Sequence, residues 1–331
     1  MCRNRNVPTF EKRLKAINRR HFLRGSVGAG VSLSTPLLQA TPSRELQLFD
    51  VHVHLAQAWY GTDRGPLTVQ DILKWMDRHR IAQAAILPLV SPEAFWYPIT
   101  SEYVLAETKP YRDRLVPFCG IDPRTLDTHL TSDTQVTDML RRYRDAGARG
   151  FGEHKAKLDI DHPLNMRLYA ACQEVDLPVL FHLDNRANMD RPGLPGLENV
   201  LRQFPQLTMI GHGKGWWASI SGGLSQTDLH VGYPRGPVQD GGAIDRLMNK
   251  YQNLYGDLSS SGAHAILRDH AFGQAFLKRR CDRLLFGTDY YDLTQSQFPQ
   301  FDLFESFELS PEARNAITTG NAERILLAQP Q

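Results

Sequence analysis

Four separate apolar runs in this chain end in residues able to bind a metal ion, and that repetition restricts the fold more than any other feature. Phe49-Asp50-Val51-His52-Val53-His54-Leu55 carries two histidines. Val179-Leu180-Phe181 runs into His182, Met209-Ile210-Gly211 into His212, and Leu284-Leu285-Phe286-Gly287-Thr288 into Asp289. In a β-strand, residues i and i+2 point to one face, so His52 and His54 leave their strand side by side. Neutral imidazole is the commonest nitrogen ligand for zinc and its neighbours. The fold must therefore bring the ends of several strands to one place.

From about residue 45 onward, β-type runs alternate with longer helical patterns. The strand candidates are 47–54, 81–88, 115–121, 148–155, 178–183, 207–212, 253–259 and 283–288. Helical spacing of apolar residues marks 68–76, with Thr68 as its cap, and 133–146, 164–176, 196–204, 242–251, 264–279 and 311–328. Eight strands alternating with helices predict an α/β chain folded as a (β/α)8 TIM barrel, in which the C-terminal strand ends converge on one mouth. A doubly wound sheet accounts less well for ligand-type residues at four strand ends. The longest irregular stretch, 213–240, is a long loop after strand 6, of the kind that serves as a lid, a binding loop or an oligomer contact.

Residues 1–40 form a separate segment. Asn18-Arg19-Arg20-His21-Phe22-Leu23-Arg24 followed by a mildly apolar run to Leu38 resembles a twin-arginine export signal, with Leu38-Gln39-Ala40 as an imperfect cleavage site. The expectation is a signal over 1–40, a barrel over 41–331, the twin-arginine export machinery as a partner, and a periplasmic or secreted product with no stable membrane insertion after cleavage. The segment holds eight Lys/Arg and one Glu, a charge of +7. The whole chain carries +2, which leaves 2 − 7 = −5 for the remainder. A body of that sign has no net positive field for nucleic acid or an acidic membrane, which argues against a nuclease. Cys119, Cys172 and Cys281 are odd in number and widely spaced, so they form no disulfide framework.

Taken in order, Asp50-Val51-His52-Val53-His54, Val179-Leu180-Phe181-His182, Ile210-Gly211-His212-Gly213 and Leu285-Phe286-Gly287-Thr288-Asp289 resemble the amidohydrolase superfamily, and best its amidohydrolase-related branch of metal-dependent hydrolases and decarboxylases. Asn253-Leu254-Tyr255-Gly256-Asp257-Leu258-Ser259 and Gly320-Asn321-Ala322-Glu323-Arg324-Ile325-Leu326 are similar to that branch's seventh strand and last helix. The resemblance implies that His52, His54, His182 and Asp289 are metal ligands and that His212 is a further ligand or a polarising residue. It implies a divalent cofactor, zinc before other ions, with one or two ions per chain. Such an ion lowers the pKa of water, and Asp289 is then the expected general base and acid.

Strand 4 reads Gly150-Phe151-Gly152-Glu153-His154-Lys155. Alternation places Phe151, Glu153 and Lys155 on one face. Binuclear members of the superfamily carry a bridging glutamate or carbamylated lysine here. Glu153 is favoured as a ligand, and Lys155 as a substrate-binding group. Asp50 and Asp257 are expected to be structural, and His154, His162, His230 and His264 to lie on the surface or in loops. Trp216, Trp217, Arg235 and Tyr290 are candidates for contacting substrate. The leading expectation is a metal-dependent hydrolase of a small molecule, cleaving an amide, lactone or other ester. The alternatives are a non-oxidative decarboxylase of an aromatic or enol acid, which does not need Glu153, and a periplasmic binding protein without chemistry. Homo-oligomers are common in the family, so self-association is open to this chain.

Overall fold

The computed structural model describes residues 48–57, 65–95, 97–126, 131–231, 235–260 and 262–328. The twin-arginine segment and its cleavage site lie outside the described residues, and no helix among the described residues is long and apolar enough to cross a membrane. Eight parallel strands supply the frame: β1 (Leu48–Val53), β2 (Ile81–Ile86), β3 (Leu115–Pro117), β4 (Phe151–His154), β5 (Val179–His182), β6 (Met209–His212), β7 (Leu254–Asp257) and β8 (Leu284–Leu285). β1, β2 and β3 pair in that order, and β4 to β8 form a second parallel run in chain order. Hydrogen bonds continue across both seams. Cys119 pairs with Phe151 between β3 and β4. Val51 N donates to Phe286 O at 3.0 Å, and Asp289 N to His52 O at 2.8 Å, between β8 and β1. All eight strands are thus joined in a TIM-barrel ring.

The helices follow from their caps. α1 (Val69–His79) begins in a capping box between Thr68 and Asp71 and ends at Arg80 in the left-handed conformation. It buries Ile72, Trp75 and Met76 against the strands, where Ile72 and Met76 are spaced to share one face. The helical pattern at 264–279 is two helices, Gly262–Leu267 and His270–Arg280, because Asp269 leaves the first and caps the second by accepting from Phe272 N. The segment after β6 is less irregular than its composition suggests, with short helices at Lys214–Ala218 and Gln226–Val231.

The barrel interior is filled by Phe49, Val51, Ala85, Leu87, Val116, Phe118, Leu180, Ile210, Tyr255 and Leu285, joined by Ala322 and Leu326 of the last helix. On β5 to β7 simple alternation carries this inward face on to His182, His212 and Asp257. β1 and β4 break it. Val53 and Leu55 pack outside with α1, so the inward face passes from Val51 to His52 and His54 at a register shift between Asp50 and Val53. On β4, Phe151 packs outside, and a Cβ on Gly150 would strike the inward Phe118 ring. A register shift between Phe151 and His154 then turns Glu153 inward. The expectation that Phe151 shares a face with Glu153 is therefore overturned. Gly152, with φ +136° and no room for a Cβ, is the residue that permits the switch.

Candidate metal centre

Two imidazoles define the centre. His54 Nδ1 donates to Leu87 O at 2.9 Å, and His52 Nδ1 lies 2.7 Å from Asp257 Oδ2. Both δ nitrogens are therefore occupied as donors, and the ε nitrogens face each other at 3.0 Å. Two bare lone pairs at that separation repel, so the spacing suits a cation between them, a proton on one ring or a metal ion. Carboxylates surround the pair. Asp289 Oδ1 is 3.6 Å from His52 Nε2 and 3.5 Å from His54 Nε2. Glu153 Oε2 is 3.6 Å and 3.4 Å from the same atoms. Burial alone would discharge His52, yet Asp289, Asp257 and Glu153 together hold its pKa well above the ordinary imidazole value.

The second half of the site adjoins the first through Glu153. Its Oε1 lies 2.6 Å from His182 Nδ1 and 3.7 Å from His212 Nε2, and Lys155 Nζ lies 2.6 Å from Oε2. The ligand atoms of His52, His54 and Asp289 sit within 4.8 Å of one another, and so do those of Glu153, His182 and His212. This donor set of imidazoles and carboxylates around a point where lone pairs converge fits a divalent cation. Burial pushes Glu153 and Asp289 up, but Lys155, His52 and His182 outweigh it for Glu153, as His52, His54 and His212 do for Asp289, and both carboxyls are held below their usual range. His182 is gripped on its other nitrogen by Asp184, whose Oδ2 is 2.9 Å from Nε2. Gly213, at φ +97°, makes room for that ring, since a Cβ there would sit 2.6 Å from His182 Cδ2.

Asp50 is no ligand. It accepts from His52 N and Thr288 N at 3.0 Å each and from Thr288 Oγ1 at 2.6 Å, and burial pushes its pKa up to about 7. It fastens the strand bearing both histidines to the one leading into Asp289. Asp289 itself is backed by a positive φ of 58°. Its carboxylate, 20% exposed, opens into a cavity of about 180 Å³ lined by His54, Leu55, Ala56, Leu89, Ala94, Phe95, Lys155 and Tyr291.

A family model described as amidohydrolase matches residues 49–327. The chain belongs to the amidohydrolase family. No curated relative matches by sequence. Among solved structures, this amidohydrolase is similar to a TIM-barrel protein of uncharacterised function from Bordetella bronchiseptica (20% identity, TM-score 0.58, 85% of this chain and 98% of that one). It also resembles an amidohydrolase from Burkholderia multivorans with bound HEPES (14%, TM-score 0.56, 85% and 99%). A third is the dihydroxybenzoic acid decarboxylase from Polaromonas with bound manganese and 2-nitroresorcinol (17%, TM-score 0.53, 85% and 96%). At these identities the likeness is one of fold. The family is enzymatic and metal-dependent.

The structure gathers His52, His54, Glu153, His182, His212 and Asp289 into one cluster, with Lys155 beside it. It corrects the aromatic contacts expected with substrate. Trp216 and Trp217 are fully buried: Trp216 packs edge-on against Phe181, and Trp217 Nε1 donates to Asp257 O at 2.9 Å. Tyr290 is also in the core, stacked on Trp75 at 4.4 Å, and its neighbour Tyr291 is the one at the cavity. Arg235 is exposed on its loop, and no contact with the cluster is seen among the described residues. His154 is not at the surface. It is buried on the outward face of β4, with Nε2 3.0 Å from Asn165 Oδ1. Three further residues shape the site without being among the functional candidates of the sequence: Asp184, Asp257 and Ser259. Asp257 ends strand 7 in the way that His182 and His212 end strands 5 and 6, so the rule that found those histidines points equally to it.

Proposed function

We propose that this amidohydrolase is a metal-dependent hydrolase of a small molecule, acting on an amide, lactone or other ester bond. The observation that carries this reading is Glu153, a buried carboxylate 3.4–3.7 Å from the ε nitrogens of His52, His54 and His212 and hydrogen-bonded to His182. Decarboxylation has no need of a strand-4 carboxylate, whereas a hydrolytic centre uses one to hold its ion or ions. His52, His54 and Asp289 would hold one ion, zinc in the first instance, and Glu153, His182 and His212 suit a second. When bound, such an ion supplies Lewis acidity, which brings the pKa of water toward neutrality and polarises a carbonyl.

The chain's own groups supply the rest. Asp289 is ionised at neutral pH and is the cluster carboxylate that also opens into the cavity, so it can take a proton from water and return it to the leaving group. Lys155 reaches the same cavity, where its ammonium suits an anionic group on the substrate. Leu55, Leu89 and Phe95 make the remaining wall apolar and exclude water from the substrate's body. The acidic body disfavours nucleic acid as substrate. The twin-arginine-type segment supports folding and metal loading before export, with the periplasm or the medium as destination. Cell fractionation of the full chain against an Arg19→Lys/Arg20→Lys variant tests that part.

Decarboxylation of an aromatic or enol acid is the second reading, because Glu153 also ion-pairs with Lys155 and its charge is partly spent there. The test is elemental analysis of chain purified without chelator, followed by parallel ester, lactone and amide hydrolysis and CO2-release panels. Hydrolysis that fails in Glu153→Ala supports the proposal. CO2 release with Glu153→Ala unimpaired overturns it.

A further inference from the structure

A single carboxylate oxygen on β7 serves histidines from two other strands. Asp257 Oδ2 lies 2.7 Å from His52 Nδ1 and 3.1 Å from His212 Nδ1. Ser259 Oγ donates to that oxygen at 2.6 Å and is 2.9 Å from His212 Nδ1, while Ser259 N donates to Oδ1 at 2.8 Å. All four residues are buried. One arrangement of protons satisfies every atom. His52 Nδ1–H donates to Asp257, and His212 Nδ1–H donates to Ser259 Oγ, whose own proton goes on to Asp257. Both ε nitrogens are then bare and face the cluster.

We propose that Asp257, partly through Ser259, fixes the ring tautomer of His52 and His212 together, so that the metal meets donors already in the form it requires. The inference rests on the metal-dependent reading above. Asp257 touches no substrate and is a positioning residue. It is itself held independently of any ligand. Trp217 Nε1 binds its carbonyl, and Gly287 opposite leaves no room for a side chain, since a Cβ there would lie 2.4 Å from Asp257 Oδ1.

Asp257→Asn keeps the shape and inverts the polarity. The Ser259 amide still needs an oxygen at Oδ1, so the NH2 takes the place of Oδ2 and points a donor at His52 Nδ1. That favours a proton on Nε2, the nitrogen intended for the metal. The same inversion disables a triad histidine when its orienting aspartate becomes asparagine. Two measurements on the full chain test the proposal: 15N-histidine NMR of metal-free protein at a pH where both rings are neutral, and zinc titration against a chromophoric chelator. In the natural protein, His52 and His212 carry their protons on Nδ1. In Asp257→Asn, His52 switches to Nε2–H and zinc affinity falls about 10- to 100-fold. Ser259→Ala leaves the His52 proton on Nδ1, where Asp257 still accepts it.

A bare Nδ1 on His52 or His212 in the natural protein overturns the proposal without reference to any variant's folding. Tight zinc binding by the natural protein, with tautomers and affinity unchanged in Asp257→Asn, overturns it and leaves the metal-dependent reading intact. No zinc binding by the natural protein overturns both.

Discussion

Acid should weaken this fold through a histidine outside the reaction, and His154→Gln should remove that weakness. His154 is buried on the outward face of β4 among Phe151, Tyr169 and Asn165. Burial pushes its pKa down to about 4, against 6.5 for an ordinary imidazole, despite the Asn165 hydrogen bond that opposes the shift. Above pH 6.5 the ring is neutral in both states and contributes nothing to the pH dependence. Between pH 6.5 and 4 the unfolded chain takes up a proton that the folded one refuses, so stability falls as pH falls. Below 4 both states are protonated and the loss levels off. At about 1.4 kcal/mol per pH unit, the gap from 6.5 to 4 amounts to about 3 kcal/mol. Glutamine can donate to Asn165 Oδ1 from nearly the same place without titrating. Urea unfolding of chelator-treated protein at pH 7 and at pH 4 supplies the comparison. The variant should gain about 3 kcal/mol on the natural chain between those two pH values. Parallel profiles for the two proteins would refute the assignment of a buried, neutral ring.

Three further outcomes follow from the site. Gly213→Ala forces a side chain onto φ +97° and against the His182 ring, so it should cost about 1–3 kcal/mol in unfolding experiments and lower metal content by elemental analysis. Zinc binding displaces whatever proton sits between His52 and His54, so calorimetric titrations in buffers of differing ionisation enthalpy should show net proton release that grows as pH is lowered. Arg124 binds Glu93 through both terminal nitrogens, at 2.9 and 2.7 Å, and is itself held by Asp122, which anchors the segment carrying Ala94 and Phe95 over the cavity. Arg124→Met should therefore speed hydrogen exchange over residues 89–95 while leaving thermal unfolding within a few degrees; unchanged exchange would show that the anchor is dispensable.

How far the sequence could be read depended on whether a strand kept its alternation. β5, β6 and β7 do, and His182, His212 and Asp257 follow an inward residue at the expected spacing of two. β1 and β4 do not. His52 and Glu153 face inward only because the register shifts just before them, and apolar periodicity carries no sign of such a shift beyond Gly152. His52 and His54 were still found, because a pair at i and i+2 stays together wherever the shift falls. The tryptophans misled for a different reason. Position after a strand end says that Trp216 and Trp217 are near the mouth, but the short helix at Lys214–Ala218 turns both indoles back into the core. Asp184 and Ser259 could not be ranked from sequence, since their roles depend on which nitrogen of a neighbouring ring they meet.

Asp50 and Thr288, which fasten the first strand to the last, stand 238 residues apart. The histidine pair and Asp289 flank that junction, so an ion shared by them would close nearly the whole barrel into one loop. An ion that binds only the joined ends favours the folded state by mass action, by about 2.7 kcal/mol at a free concentration 100 times its Kd. Metal in this protein would therefore act as a clasp as well as a reagent. Because its ligands come from both ends of the barrel, a nascent or truncated chain has no complete clasp to fasten, and occupancy would report that the last strand has found the first.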